Sequence, residues 1–193
     1  SQRAAVSSAG ARRTGEAEFL DRLVDLSKCS RNIHSRMPTL DERYLNVIKT
    51  LSTTLEGRSV VWALTGSTSF ALQDVPLTPN DIDVQTTEDG AYAIEEAFSE
   101  QVVEPVSFSE SETIRSHFGV VELDGIRIEI MGAVQKRQPN GRWEPPVDVT
   151  DHRTFVDVEG ILIPVLTLRY EASAYEQMGR SERAAILAKH AEN

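Results

Sequence analysis

The chain has 193 residues, 40% of them hydrophobic and 26% charged, with a formal net charge of −10 and a pI near 4.9. That composition suits a soluble folded core, and no apolar stretch approaches the roughly 20 residues of a membrane span. An acidic surface disfavours long nucleic acid as a partner, and the lone cysteine, Cys29, excludes an intrachain disulfide and fits a reducing, cytoplasmic setting.

Residues 1–15, SQRAAVSSAGARRTG, carry basic side chains but no apolar h-region, so they read as a flexible tail rather than a secretory signal. The missing initiator methionine suggests an incomplete or processed start. Residues 16–193 are expected to form one domain, with a core at about 40–165 and closing helices at 166–193. In EAEFLDRLVDLSK (16–28), Phe19, Leu20, Leu23, Val24 and Leu26 recur at helical spacing. A second helix is expected from Thr39, as N-cap with Glu42 in capping-box register, to Gly57.

SVVWALTG (59–66) is β-branched and apolar and ends in glycine, as a buried strand does, and STSFALQDV supplies a helical turn or two before Pro76 and Pro79. NDIDVQTT (80–87) reads as the next strand and EDGAYAIEEAFSE (88–100) as a helix with an acidic first turn. Three strand candidates follow at 101–108, 114–124 and 126–132, the last two joined by the hairpin turn Asp124-Gly125. Residues 133–151 read as a loop, RTFVDVEGILIPVL as a hairpin around Glu159-Gly160, and the remainder as two helices broken at Gly179-Arg180. This order predicts an α+β protein, a mixed α/β sheet with helical cover.

Three features carry chemistry. Gly66-Ser67 closes a strand and opens a helix, whose first N–H groups suit a phosphate, with Ser67 and Ser69 as hydroxyl donors. Asp81 and Asp83 flank one isoleucine, so on a strand both carboxylates face one way and invite a hard cation such as Mg²⁺. Glu129 lies within IRIEI, where Ile126, Ile128 and Ile130 share one face and Arg127 and Glu129 the other. If its strand neighbours NDIDV, three carboxylates converge.

The order Gly66-Ser67, thirteen residues, Asp81-x-Asp83, then Glu129 on a later strand resembles the nucleotidyltransferase superfamily, including small prokaryotic nucleotidyltransferases and antibiotic adenylyltransferases. IPVLTLRYEASAYEQMGRSERAAIL is similar to the tail of many members, so the resemblance spans roughly residues 40–190. It departs in having Glu129 where Asp is commoner, and in lacking a lysine in the helix after the IPVLTL phrase.

The resemblance implies a central mixed sheet flanked by helices and an enzyme moving an NMP group from an NTP, ATP foremost, to a hydroxyl of a small molecule or protein, with release of pyrophosphate. It implies catalytic and metal-binding roles for Asp81, Asp83 and Glu129 on one or two Mg²⁺ ions, and nucleotide binding at Gly66 and Ser67. Glu129 completes the metal site or acts as base. The alternative is a catalytically silent nucleotide-binding or interaction module, such as a toxin–antitoxin component. Arg115, His117, Lys136, Arg137, Arg180, Arg183 and Trp143 are further candidates around phosphate, acceptor or base, and Trp62 reads as core.

Overall fold

The computed structural model describes residues 40–192. The expected flexible tail, the expected helix at 16–28 and Cys29 lie outside them. The first described helix, α1 (Glu42–Leu55), is capped by Asp41, whose carboxylate accepts from the Arg43 N–H; the expected cap, Thr39, lies outside the described residues. Its inner stripe, Val47, Ile48, Leu51 and Leu55, is buried, each side chain contributing about 1.5–3 kcal/mol of transfer free energy.

The chain then runs β1 (Trp62–Thr65), α2 (Gly66–Leu72), β2 (Ile82–Thr86) and α3 (Glu88–Ala97). After a short 3₁₀ turn come β3 (Val102–Glu110), β4 (Ile114–Leu123) and β5 (Ile126–Lys136). The last stretch holds α4 (Val149–His152), the hairpin β6 (Arg153–Val158) and β7 (Ile161–Leu166), and helices α5 (Leu168–Gln177) and α6 (Ser181–His190). The seven strands form one sheet in the order β3-β4-β5-β2-β1-β7-β6. It is mixed: β2–β5 and β1–β7 are parallel, the other neighbours antiparallel. The expected α+β mixed sheet with helical cover is therefore what the chain forms.

The two faces of the sheet differ. Leu64, Ile82, Val84, Ile128 and Ile130 pack with the inner stripes of α1 and α3 in the main core. Because side chains alternate across a strand, Thr65, Asp83, Glu129 and Met131 point to the opposite face. There α5 and α6 form a second cluster around Phe70, Leu168, Tyr175 and Leu187, with Phe70 and Tyr175 meeting edge to face at 5.8 Å.

Two sequence expectations change in extent. Asp124 and Gly125 both take positive φ, as a tight hairpin requires, and so do Glu159 and Gly160. The expected loop from 133, however, continues as strand to Lys136. Ala133 has φ 53°, and between the pairs His117↔Gly132 and Arg115↔Gln135 β5 carries one residue more than β4, which is a β-bulge. Across it the alternation shifts, so Val134 joins Met131 in one cluster with Ile114, Phe118 and Val120.

Candidate active site

The parallel pairing of β2 and β5 sets Asp83 directly beside Glu129, so the two carboxylates share the face that α5 and α6 cover. Asp81 lies two residues before Asp83, just ahead of the strand, and all three acids are buried, Glu129 completely. The register brings Asp83 and Glu129 together, as the sequence predicts for the case that β5 neighbours β2.

The Gly66 turn packs on the same point. Thr65 pairs with Asp83 across β1 and β2, and Gly66 follows with φ 66°. A Cβ there would fall inside contact distance of Asp83 Oδ2, so only glycine lets the turn approach the carboxylate this closely. The return loop is pinned where Thr68 Oγ1 donates to the Asp81 carbonyl at 2.6 Å. Ser67 is buried beside the turn, while the Ser69 hydroxyl accepts from Gln73 Nε2 at 3.1 Å.

Beneath the turn lies a residue that sequence reading did not single out. Glu171 on α5 is only 3% exposed, and its carboxylate accepts from the Thr65 hydroxyl and the Gly66 N–H. Burial pushes its carboxyl up to about 7, against the opposing pull of these hydrogen bonds and of Lys136. The Gly66 amide thus faces Glu171, and the contribution of Gly66 to the site is its close approach to Asp83. A polar residue breaking the apolar side of the last helices was the one available signal.

Cations surround this acidic centre. Arg127 Nε donates to Glu129 Oε1 at 2.8 Å, the pairing that their shared strand face suggested. Lys136 Nζ donates to the Tyr170 hydroxyl at 3.3 Å, and burial pushes its ammonium down while Glu144 and Glu171 raise it. The Tyr175 phenol is pushed up by burial and by Glu171 and Asp83, with Arg183 and Arg180 opposing. Tyr175 therefore lies in the field of both the carboxylates and these two arginines.

A cleft of about 530 Å³ opens between the end of β5 and the α5–α6 turn, walled by Lys136, Arg137, Glu144, Gln177, Met178 and Arg180 and by none of the three acids. Trp143, the expected exposed aromatic, is half-buried with the Arg115 and Arg137 guanidinium groups 4.6 and 5.7 Å from its ring. His117 is not at this site: it contacts Tyr92, Phe108 and Glu88 on the α3 side of the sheet. Trp62 is core, as expected.

Oxygen donors on buried carboxylates are the donor set that Mg²⁺ prefers, and Asp81 and Asp83 offer it where the Gly66 turn packs against Asp83. Glu129 is held by Arg127. Among the described residues no group of three His, Cys, Asp or Glu side chains is gathered closely enough to hold a metal ion as it stands. The Asp pair fits the ion, and Glu129 would join it only by exchanging its arginine contact.

The family model described as aminoglycoside-2″-adenylyltransferase matches residues 47–190. A Thermotoga maritima protein described as a candidate nucleotidyltransferase is 48% identical, with 78% of this chain and 94% of that chain covered and a TM-score of 0.71. A lincosamide antibiotic adenylyltransferase with lincomycin bound shares the fold at 12% identity and a TM-score of 0.50, covering 77% of this chain and 97% of its own. A comparison with curated proteins returned no match.

Proposed function

Because the chain belongs to the aminoglycoside-2″-adenylyltransferase family and is an enzyme of the nucleotidyltransferase kind, we propose that it moves an NMP group from an NTP, ATP foremost, to a hydroxyl of a small molecule. The observation carrying this reading is the β2–β5 register, which sets Glu129 beside Asp83 where the Gly66 turn packs. A cleft of about 530 Å³ falls in the size range of small-ligand sites, which favours a small acceptor over a protein surface.

In this reading Asp81 and Asp83 hold Mg²⁺, and Ser67 holds phosphate oxygens at the start of α2. The bound ion supplies charge neutralisation on the phosphates and the leaving group. Glu129, oriented by Arg127, takes the proton of the acceptor hydroxyl. The acceptor oxygen forms a bond to the α-phosphorus as the bond to the bridging oxygen breaks, and pyrophosphate departs with that electron pair. α5 and α6 cover the face and exclude water. Among the described residues no helix is long and apolar enough to cross a membrane, and a cytoplasmic setting is part of the proposal.

The competing reading, a silent nucleotide-binding module, draws on the Arg127–Glu129 pair. One experiment separates them: pyrophosphate release from radiolabelled ATP with Mg²⁺ and a panel of hydroxyl acceptors. Asp81→Asn combined with Asp83→Asn is expected to lower turnover by at least about a hundredfold, the scale of losing a main charge-stabilising element. Unchanged turnover in that variant sinks the catalytic assignment, and binding without any turnover favours the silent module.

A further inference from the structure

The two edges of the sheet differ in how they meet solvent. β3 closes one end, and its edge is guarded. Pro105 has no N–H to offer, the register with β4 shifts twice, and the Val106 N–H donates to Glu95 of α3. Proline, bulges and occupied amides protect an edge against pairing with another strand. β6 closes the other end with RTFVDV, which has no proline and pairs with β7 in one unbroken register from Arg153↔Leu166 to Val158↔Ile161.

Which backbone groups of β6 face outward follows from its turn. Glu159 and Gly160 have φ 53° and 86°, as in a two-residue hairpin turn, whose flanking pair exchanges both of its hydrogen bonds. That pair is Val158 and Ile161, so Val156 and Thr154 also bond to β7. Arg153, Phe155 and Asp157 therefore direct their N–H and C=O groups away from the sheet. Their side chains share one face, opposite the main core to which Val156 and Val158 belong. There Phe155 is 53% exposed and Leu162, opposite Asp157 on β7, is 62% exposed.

The three outward residues are self-complementary. In an antiparallel pairing with a second copy centred on Phe155, the two phenylalanines meet, and on either side Arg153 of one copy meets Asp157 of the other. A shift of two residues either way would set Phe155 against Arg153 or Asp157 instead, so aromatic contact and charge select one register. Both charges are held close to the strand. The Arg153 guanidinium lies 5.5 Å from the Phe155 ring, and the Asp157 carboxylate accepts from the Gly160 N–H at 2.8 Å.

From this edge we infer that the chain forms a two-fold homodimer in which β6 pairs antiparallel with β6 of a second copy, joining the two sheets into one. The axis passes between the two Phe155 residues, perpendicular to the sheet, so the acid-bearing faces of both copies lie on the same side. The inference goes beyond the proposed reaction and does not depend on it.

Sedimentation equilibrium of the full chain tests this, at about 0.15 M salt so that charges beyond ~8 Å are screened. The mass is expected to rise from one chain to two between about 5 and 500 µM, a span suited to a small interface. Arg153→Asp makes both positions flanking Phe155 acidic, and Asp157→Arg makes both basic. Each variant alone is expected to dimerise at least about tenfold more weakly, because like charges then stand opposite one another. An equimolar mixture of the two is expected to recover the original affinity within about threefold, since every facing pair is again opposite in sign. Should circular dichroism show either charge variant unfolded, Phe155→Lys, at an exposed side chain, gives the reading instead by loss of the dimer.

A single-chain mass at about 500 µM overturns the inference. A dimer that survives Phe155→Lys, or a mixture of folded charge variants no more associated than either alone, places the contact on another surface, residues 1–39 included, and overturns it equally.

Discussion

At the scale of single residues, Glu171 joins the chemistry to stability. Its carboxyl titrates near 7 in the folded chain against an ordinary value of 4.5. Between these two pH values the folded state binds more protons than the unfolded one, so the free energy of unfolding falls as pH rises through that window. The expected loss is about 3 kcal/mol in total, levelling off above the folded value. Chemical denaturation at about pH 5 and about pH 8 reads it, and Glu171→Gln is expected to flatten the difference. Glu171→Ala instead leaves the Thr65 hydroxyl and the Gly66 N–H buried without this acceptor, costing about 1–3 kcal/mol for each group.

At the scale of elements, the seating of α3 on the sheet depends on a close approach by glycine. A Cβ on Gly132 would come within 2.7 Å of the Ala91 Cβ and 2.8 Å of the Thr87 carbonyl oxygen, so α3 rests directly on β5. Gly132→Ala is expected to force the two apart and cost about 1–3 kcal/mol, read as a lower denaturant midpoint. Elements of this kind were largely legible in the sequence: apolar alternation at Ile126, Ile128 and Ile130 and the Asp124-Gly125 turn need only local rules. The meeting of Asp83 and Glu129 was legible as a conditional, awaiting the strand order that places β5 next to β2. What stayed hidden depends on contacts far apart in the chain. Glu171 meets Thr65 across 106 positions, and no local periodicity marks that meeting. The basic cleft joins the end of β5 to the α5–α6 turn, and its arginines taken one by one look like ordinary solvated charges.

At the scale of the whole molecule, the sheet separates support from chemistry. One face carries α1 and α3 over an apolar core, and the other carries the buried acids and the cleft. A ligand engaging only the second face stabilises the fold by mass action. Mg²⁺ and ATP at a hundred times the dissociation constant are expected to add about 2.7 kcal/mol, raising the melting temperature by roughly 5–10 °C for a chain of this size. The Asp81→Asn and Asp83→Asn variant is expected to show no such rise, and a rise equal to that of the unaltered protein would place the nucleotide elsewhere.

The bulge at Ala133 has a consequence for how such a chain can diversify. Ahead of it, β5 is locked in frame with β2, because any shift there would turn Glu129 away from Asp83. Beyond it, the frame is set by one extra residue. Deleting that residue would restore plain alternation and leave Val134 and Lys136 on the face they already share with Met131 and Glu129. A deletion ahead of the bulge therefore turns Glu129 away from Asp83, whereas loss of the bulge residue itself leaves every side chain of the strand on its present face. Descendants of this chain can lose the bulge without turning either the carboxylates or Lys136.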